Sequence, residues 1–239
     1  MKVVFVQPTF ENLGIQYLSS VLKKAGHEVE LIFDPRLFND TLIYNKFFSD
    51  MFNFKKDIVK QAVTSRADLI AFSVTTDIYD WALNMAREIK KQMHAPIVFG
   101  GPHATAVPEQ VIKDDAVDYV VRGEGEEALL ELVNSLAQGK SDLAIKNLWY
   151  RRDGEVVVND VRDLILDLDR VPFPDKELYN GIITDSTGSY RTIASRGCPF
   201  GCSYCHNSML RELYRGTKRF WRIRSVESVI EELKCAKEK

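Results

Sequence analysis

The sequence predicts an α/β protein in which a doubly wound, five-stranded parallel sheet is followed by a linker and by the first βα unit of a second domain. Over residues 1–140, short apolar runs alternate with stretches of helical periodicity, as repeated βα units require. From residue 190 onward, a new strand pattern leads into a cluster of cysteines. The chain has 239 residues, 45% of them apolar, which is enough to bury a sizeable core.

Five short apolar runs supply the strands of the predicted sheet: 3–6, 29–33, 69–74, 97–99 and 118–121. The third run is nearly all apolar, as expected for a central strand that is covered on both faces. Apolar residues at helical spacing after these runs predict helices over about 18–25, over 42–66 as one or two helices, over 78–93, after Pro108, and from about 126 to 138. Gly26 stands where the first helix should stop.

The pattern changes between residues 141 and 189, which we interpret as a hairpin and a linker. Asp153 and Gly154 are a hairpin turn signal between the strand patterns 147–150 and 155–158. Two prolines exclude a regular helix or a central strand from 168–175. Residues 190–239 then offer one strand, 191–194, a cysteine loop and a helix over 226–233, so this second domain looks incomplete.

Charge and hydropathy argue against a nucleic acid or a membrane as partner. The 32 Lys and Arg residues against 34 Asp and Glu residues give a net charge of −2. A basic stretch at 211–224 is interleaved with aromatic residues, but a solvated connection explains it equally well. The apolar run 3–6 is too short for a signal peptide or a membrane span, so we expect a cytoplasmic protein.

Three of the four cysteines, Cys198, Cys202 and Cys205, lie within eight residues, whereas Cys235 lies near the end. In a chain without an export signal, clustered thiols indicate metal binding or redox chemistry rather than a disulfide framework. Three thiolates can hold a 4Fe-4S cluster and leave one iron open. The alternative is a structural zinc site completed by His206 or Cys235.

Small, polar or glycine residues follow the predicted strands, where ligands bind in open α/β sheets. These candidate ligand-binding residues are Asn12, Gly14, Ser73, Thr75, Thr76, Gly100, Gly101, His103, Gly123, Glu124 and Gly125. Glycines permit close backbone approach to a ligand, but they also build tight turns, and spacing alone does not separate these two roles. No GxGxxG follows the first strand, which argues against a nicotinamide or flavin dinucleotide.

The CxxxCxxC spacing after a strand, with Tyr204 before the last cysteine, resembles the radical S-adenosylmethionine (radical SAM) enzymes. The resemblance implies that the three cysteines hold a 4Fe-4S cluster and that S-adenosylmethionine chelates its open iron. Tyr204 would lie close to the adenine, although a half-buried loop aromatic is an alternative. An electron from an external donor such as flavodoxin or ferredoxin would cleave S-adenosylmethionine to methionine and a 5′-deoxyadenosyl radical.

The order of parts resembles the cobalamin-binding subgroup of radical SAM enzymes over essentially the whole chain. Residues 100–103 (GGPH) and 122–126 (RGEGE) look like the strand-end loops of that subgroup. The resemblance implies a Rossmann-like, cobalamin-binding sheet followed by the start of a radical SAM partial barrel. No histidine has an aspartate two residues before it, so the resemblance implies cobalamin without a histidine ligand to cobalt.

The resemblance implies methyl transfer to an unactivated carbon of a small-molecule substrate, with cyclisation or rearrangement left open. It also implies that these 239 residues, which lack most of the barrel, are inactive alone. A noncatalytic cobalamin-binding or sensing module with a zinc-stabilised tail is the alternative.

Overall fold

The computed structural model describes residues 1–37, 44–182, 189–217 and 219–237. The strands are β1 (Lys2–Pro8), β2 (Glu28–Asp34), β3 (Leu69–Ser73), β4 (Ile97–Gly100), β5 (Tyr119–Val121), β6 (Leu148–Arg152), β7 (Glu155–Val158), β8 (Ser195–Arg196) and β9 (Arg222–Ile223). The helices are α1 (Leu13–Lys24), α2 (Lys46–Met51), α3 (Lys55–Thr64), α4 (Tyr79–Lys90), α5 (Gly101–Ala106), α6 (Pro108–Val111), α7 (Glu126–Ala137), α8 (His206–Leu213) and α9 (Val226–Lys237). Two 3-10 turns occupy Leu168–Arg170 and Lys176–Tyr179.

The main sheet has the order β2-β1-β3-β4-β5-β6-β7, and its first five strands are parallel. The five predicted parallel strands are therefore confirmed. The hairpin β6-β7 adds two antiparallel strands, with Trp149 opposite Val120 of β5. Because Leu148 and Tyr150 are buried in the core, the hairpin completes the sheet instead of standing apart in a linker.

Helices cover both faces of the sheet, as the doubly wound prediction requires. Successive strand side chains point to opposite faces, so Val4 and Val6 pack towards α3, α4, α5 and α6, whereas Val3 and Phe5 pack towards α1 and α7. All four side chains are at most 1% exposed. The central strands are thus buried on both sides, which fixes the edge formed by their carboxyl ends.

Residues 168–179, which we name the strap, lie along α1. Asp175 accepts a hydrogen bond from Ser19 Oγ (2.6 Å) and pairs with Lys23 (2.6 Å), and Ser20 Oγ donates to the carbonyl of Phe173 (2.5 Å). Tyr179 is buried in the apolar cluster on the α1 face. Residues 168–175 form neither an α-helix nor a strand, as the prolines predict, and the contacts of the strap hold it against the sheet domain.

The strand predicted at 191–194 is wrong in position. The structure has the two-residue strand β8 immediately afterwards, paired antiparallel with β9, and Ala194 only accepts a hydrogen bond from Arg224 N (2.9 Å). Helix α9 is as predicted. The stretch predicted as one or two helices forms two, α2 and α3, and its start at residue 42 lies outside the described residues.

Helix α5 was not predicted, because its first residue is Gly101 of the strand-end loop. Pro102 at its start is compatible with a first helical turn, in which the missing N–H has no helical partner. Among the described residues, no helix is long and apolar enough to cross a membrane.

Candidate functional site: a cavity between the strand ends and the cysteine segment

A cavity of about 570 Å³, which we name the main cavity, lies at the carboxyl ends of β1, β3, β4 and β5. Apolar side chains of the strands and of α7, including Phe5, Ala71, Val98 and Leu129, form part of its wall. The predicted residues that line it are Asn12, Gly14, Ser73, Thr75, Gly100, Gly101, Gly123, Glu124 and Gly125. The strand-end loops therefore meet around one space, as the parallel topology requires.

At two positions in the lining of the main cavity, neighbouring protein atoms leave room only for glycine. A Cβ at Gly101 (φ +91°) would lie 2.8 Å from the backbone nitrogen of Val74. A Cβ at Gly123 (φ +69°) would lie 1.8 Å from the hydroxyl oxygen of Tyr214. Thr105 ties the two loops together, because its hydroxyl donates to Gly101 O (2.9 Å) and accepts from Gly123 N (2.9 Å).

Thr76 and His103 do not line the main cavity. The Thr76 hydroxyl and His103 Nδ1 lie 3.1 Å apart, and the His103 ring packs against Tyr79 with centroids 4.2 Å apart. Burial lowers the pKa of His103 more than the charge of Asp80 raises it, which favours the neutral imidazole. The structure therefore places both predicted residues, the exposed Thr76 and the half-buried His103, outside the main cavity.

A largely buried ion-pair cluster joins the loop after β5 to the strands that flank the cysteine loop. It consists of Glu124, Glu126, Arg196 and Arg222. Glu124 accepts from Arg222 Nη1 (2.8 Å) and Arg196 Nη1 (3.2 Å), and Glu126 accepts from Arg196 Nη2 (2.5 Å). Burial alone would lower the pKa of Arg196, but the charges of Glu126 and Glu124 outweigh it, so this pKa is raised.

Glu124 therefore has a clear structural role at the predicted ligand site. Its carboxylate also accepts a hydrogen bond from Ile165 N (2.8 Å), and its backbone nitrogen donates to the Tyr214 hydroxyl (3.2 Å). Arg196 stands two residues before Cys198. Through the ion-pair cluster, the position of the cysteine loop depends on the loop at the end of β5.

The cysteine loop carries three free thiols: Cys198 and Cys205 are half-buried and Cys202 is exposed. Arg211 of α8 holds the loop backbone by donating to the carbonyls of Cys198 (2.5 Å) and Phe200 (3.2 Å). Asn207 lowers the pKa of the Cys205 thiol, chiefly through its backbone N–H and also through its side-chain amide, 3.6 Å from Sγ. This favours the thiolate, the form that binds metals.

Within the part of the chain that the structure describes, no three His, Cys, Asp or Glu side chains are gathered closely enough to hold a metal ion. The donor set itself is soft and reduced, which suits an iron-sulfur cluster. A cluster would therefore have to draw the three thiols together. Tyr204 is 91% exposed and does not line the main cavity, while Cys235 is exposed on α9.

The main cavity extends from the sheet to the part of the chain from β8 to β9, which contains the cysteine loop and α8 and which we name the cysteine segment. Gly197, which precedes the first cysteine, and His206 and Leu210 of α8 line it together with the strand-end loops. Sequence reasoning did not find the contributions of Arg196, Tyr214 and Arg222. Their partners on the loop after β5 are 72 to 98 residues away in the chain, and no local pattern reports such a contact.

The family model for the B12 binding domain matches residues 3–133, a span that contains every strand-end loop of the main cavity. The chain belongs to the B12-binding domain family. This domain accounts for the five parallel strands and for the helices on both faces of the sheet.

Known proteins are similar to nearly the whole chain. An uncharacterised methyltransferase of Pyrococcus horikoshii is 33% identical over 98% of this chain and 50% of its own length. The anaerobic magnesium-protoporphyrin IX monomethyl ester cyclase of Rubrivivax gelatinosus is 29% identical over 98% of this chain and 42% of its own. The radical SAM methyltransferase TsrM from Kitasatospora setae, solved with cobalamin and a [4Fe-4S] cluster bound, has a TM-score of 0.68 at 18% identity, over 98% of this chain and 45% of that one.

The B12-binding domain with its cysteine-containing continuation resembles the first part of cobalamin-binding radical SAM proteins, as the sequence analysis inferred. The chain spans half or less of the length of these relatives. The lining of the main cavity has the chemistry that suits the face of a corrin ring, because it combines apolar side chains with glycine backbone and hydroxyl groups.

Proposed function

We propose that this chain is part of a radical SAM enzyme that uses cobalamin and a 4Fe-4S cluster. The observation that carries the proposal is the composition of the main cavity. One side is formed by strand ends of the B12-binding domain and another by residues directly before and after the cysteine loop. Ligands held by these two parts would therefore lie against one another.

The cofactors would supply an electron for the cleavage of S-adenosylmethionine, through the cluster, and a methyl group, through cobalamin. Cys198, Cys202 and Cys205 would hold the cluster, and the glycine-rich loops would hold cobalamin by close backbone approach. The ion-pair cluster would fix the distance between the 4Fe-4S cluster and cobalamin. An external donor such as flavodoxin or ferredoxin would provide the electron, which fits a cytoplasmic location.

The reaction that we propose is methyl transfer to an unactivated carbon of a small-molecule substrate. The similarity to a methyltransferase over 98% of the chain supports this choice. The similarity to an anaerobic ester cyclase, at 29% identity, makes cyclisation the second candidate. Product analysis with methyl-labelled S-adenosylmethionine separates them, because only methyl transfer puts the label into the substrate.

Anaerobic reconstitution tests the cofactor assignment. The chain is incubated with iron, sulfide and cobalamin, and its iron, sulfide, cobalt and zinc contents are measured. We expect iron and sulfide in equal amounts together with cobalt. The triple Cys→Ala variant at the three loop positions should lose iron and sulfide, whereas the matched control Cys235→Ala should keep both. Zinc without iron, or full iron retention by the triple variant, would exclude the cluster assignment.

We further propose that these 239 residues alone do not turn over S-adenosylmethionine at a useful rate. Cleavage requires the sulfonium to be held against the open iron, and positioning contributes heavily to catalysis. In the structure Cys202 and Tyr204 are exposed, so the described residues do not cover the side of the cysteine loop on which these two side chains lie. The test is incubation with dithionite and S-adenosylmethionine, followed by chromatography for 5′-deoxyadenosine. Multiple turnovers would refute the proposal.

A further inference from the structure

The basic stretch at residues 211–224 divides into two groups of arginines in the structure. Arg222 and Arg224 are buried, and each forms an ion pair with a glutamate. The other three arginines of the stretch are exposed: Arg211, Arg215 and Arg219. The buried pair explains how the stretch is attached to the rest of the chain, but it does not explain the exposed charges.

Contacts through Phe220 place the exposed arginines beside the cysteine loop. The Arg211 guanidinium lies over the Phe220 ring, 5.1 Å from its centroid, and donates to two carbonyls of the cysteine loop. A Cβ at Gly197, directly before the first cysteine, would lie 2.3 Å from Phe220 O. Arg219 and Trp221 are the chain neighbours of Phe220, and both are exposed. The exposed charges therefore border the loop that carries the three thiols.

We name this surface the basic patch; it consists of Arg211, Arg215, Arg219, Phe200 and Trp221. Phe200 is 69% exposed and Trp221 is 44% exposed, so two aromatic rings lie among the charges. Arg215 pairs with Glu212, but an ion pair between two exposed side chains is weak and leaves the arginine available to a partner. Residues 197–221 contain four basic side chains and one acidic side chain in a chain with a net charge of −2; the fourth, Lys218, lies outside the described residues.

The basic patch lies where an electron would have to enter. Cys202 of the same loop is exposed, so a 4Fe-4S cluster held by the three cysteines would lie close to the surface on this side. Electron transfer slows steeply with distance, which favours a donor that docks beside the cysteine loop. A concentrated positive surface attracts and orients a partner with an acidic surface. Five exposed side chains suit such a partner, because transient electron-transfer complexes bury little area.

We propose that the basic patch is the docking surface of an acidic, flavodoxin-type electron donor. This inference rests on the proposed function and deepens it, because it gives the external donor a place on the chain. One electron would pass from the reduced flavin to the 4Fe-4S cluster, so that the flavin is oxidised and the cluster reduced by one electron each, and no bond forms or breaks. The rings of Phe200 and Trp221 suit the apolar edge of a flavin. A second copy of this chain would instead set like charges against one another.

Charge reversal at two positions of the basic patch tests the docking surface without any cofactor on the chain. The full chain, without a 4Fe-4S cluster, is titrated with oxidised flavodoxin at low salt. Arg215→Glu/Arg219→Glu should bind at least about tenfold more weakly than wild type. The difference should vanish near about 1 M salt, where charges are screened beyond about 3 Å. The melting temperature should not change, because both side chains are exposed.

Lys56→Glu/Lys60→Glu is the matched control. Both lysines are exposed on α3, which packs on the sheet face opposite α1 and α7, and the change in net charge is the same. The affinity of this control for flavodoxin should stay within about twofold of wild type. An equal loss of affinity in the two double variants would mean that flavodoxin responds only to overall charge, which would overturn the assignment.

Stopped-flow absorbance then measures electron transfer from reduced flavodoxin to the reconstituted chain. At low flavodoxin concentration the rate should fall at least about tenfold in Arg215→Glu/Arg219→Glu, in line with its affinity. Dithionite, which needs no docking surface, should reduce the 4Fe-4S cluster to the same extent in wild type and variant. If reconstitution yields no iron and sulfide in wild type, the proposed function itself fails. If the 4Fe-4S cluster forms but flavodoxin binds and reduces both proteins alike, only the present inference fails.

Parallel titrations of the same two proteins test the identity of the partner. A single-stranded DNA oligonucleotide is one probe, because basic residues interleaved with aromatic rings also suit nucleic acid; a ferredoxin is the other. We expect the arginine variant to lose affinity for flavodoxin. Loss of oligonucleotide binding with unchanged flavodoxin binding would overturn the assignment in favour of nucleic acid. The same pattern with the ferredoxin would overturn the choice of a flavodoxin.

Discussion

Replacing Glu124 with glutamine should loosen the cysteine segment from the sheet domain far more than neutralising a neighbouring exposed glutamate. Glu124 is the member of the ion-pair cluster that contacts both arginines, at 2.8 Å from Arg222 and 3.2 Å from Arg196. The Arg222 side chain is only 3% exposed. Loss of the carboxylate charge would leave that guanidinium buried with the neutral carbonyls of Phe220 and Ile165 as its remaining partners in the cluster region.

The size of the effect follows from this burial. Removing one partner of a buried ion pair costs about 3–5 kcal/mol. Glutamine keeps the shape and one oxygen acceptor, so we expect the lower part of this range or slightly less, about 2–3 kcal/mol. The matched control is Glu127→Gln on α7. The Glu127 side chain is 54% exposed in its pair with Arg162, so its neutralisation should cost at most about 1 kcal/mol.

Hydrogen exchange followed by mass spectrometry measures the effect where it should occur. Peptides that cover β8 and β9 report the opening of the segment, because local exchange reflects the free energy of local opening. In Glu124→Gln these peptides should exchange about 30-fold or more faster, since each 1.4 kcal/mol corresponds to tenfold. Similar exchange in the two variants, or an effect confined to α7, would refute the argument that the cluster holds the cysteine segment.

Two further predictions test the packing at Gly123 and the ion pair of Glu11 with Lys176. Gly123→Ala should destabilise the chain by several kcal/mol, because the new Cβ would lie 1.8 Å from the hydroxyl of Tyr214. The control Gly139→Ala, with φ +64° and nothing within 4 Å of the new Cβ, should cost only about 1 kcal/mol. Equal losses of unfolding free energy in the two variants, measured by chemical denaturation, would contradict the packing argument. Burial raises the pKa of the Glu11 carboxyl, but its hydrogen bonds with Lys176 and Gln16 outweigh burial, so this pKa lies below the ordinary 4.5. The stabilisation that the Glu11–Lys176 pair gives to the folded chain is therefore present above pH 4.5, and it is lost as the pH falls through the lowered pKa of Glu11. The difference in unfolding free energy between wild type and Lys176→Met should shrink as the pH falls below 4.5 and through the lowered pKa of Glu11, and a difference that stays constant with pH would contradict this prediction.

The parallel strands could be predicted because their information is local. The run at β3 is apolar at successive positions, which indicates burial on both faces, and the positions of strand ends then follow from the topology. The same reasoning correctly brought Ser73 and Gly100 to one cavity. It did not separate Thr75, which lines the main cavity, from Thr76, which contacts His103 instead. Side-chain direction within a loop depends on backbone torsions that the sequence pattern does not report.

The attachment of the second part of the chain could not be predicted, because it depends on long-range charge pairing. The basic stretch that contains Arg222 resembled a solvated connection, yet this arginine is buried against Glu124, 98 residues earlier. The predicted strand at 191–194 was misplaced for a related reason. Its apolar pattern favours a strand, but regular pairing with β9 is confined to Ser195 and Arg196.

Cobalamin titration of wild type and Gly100→Leu tests the central claim, that the strand-end cavity of this member of the B12-binding domain family holds a corrinoid. Gly100 lines the main cavity with an extended backbone (φ −138°), and a Cβ there would lie 3.7 Å from the nearest atom, Val121 O. Leucine should therefore fold without strain and place its side chain in the main cavity. We predict one bound cobalamin per wild-type chain and an affinity at least about tenfold weaker in Gly100→Leu at an unchanged melting temperature. Absence of binding by wild type, or equal affinity in the variant, would contradict the claim.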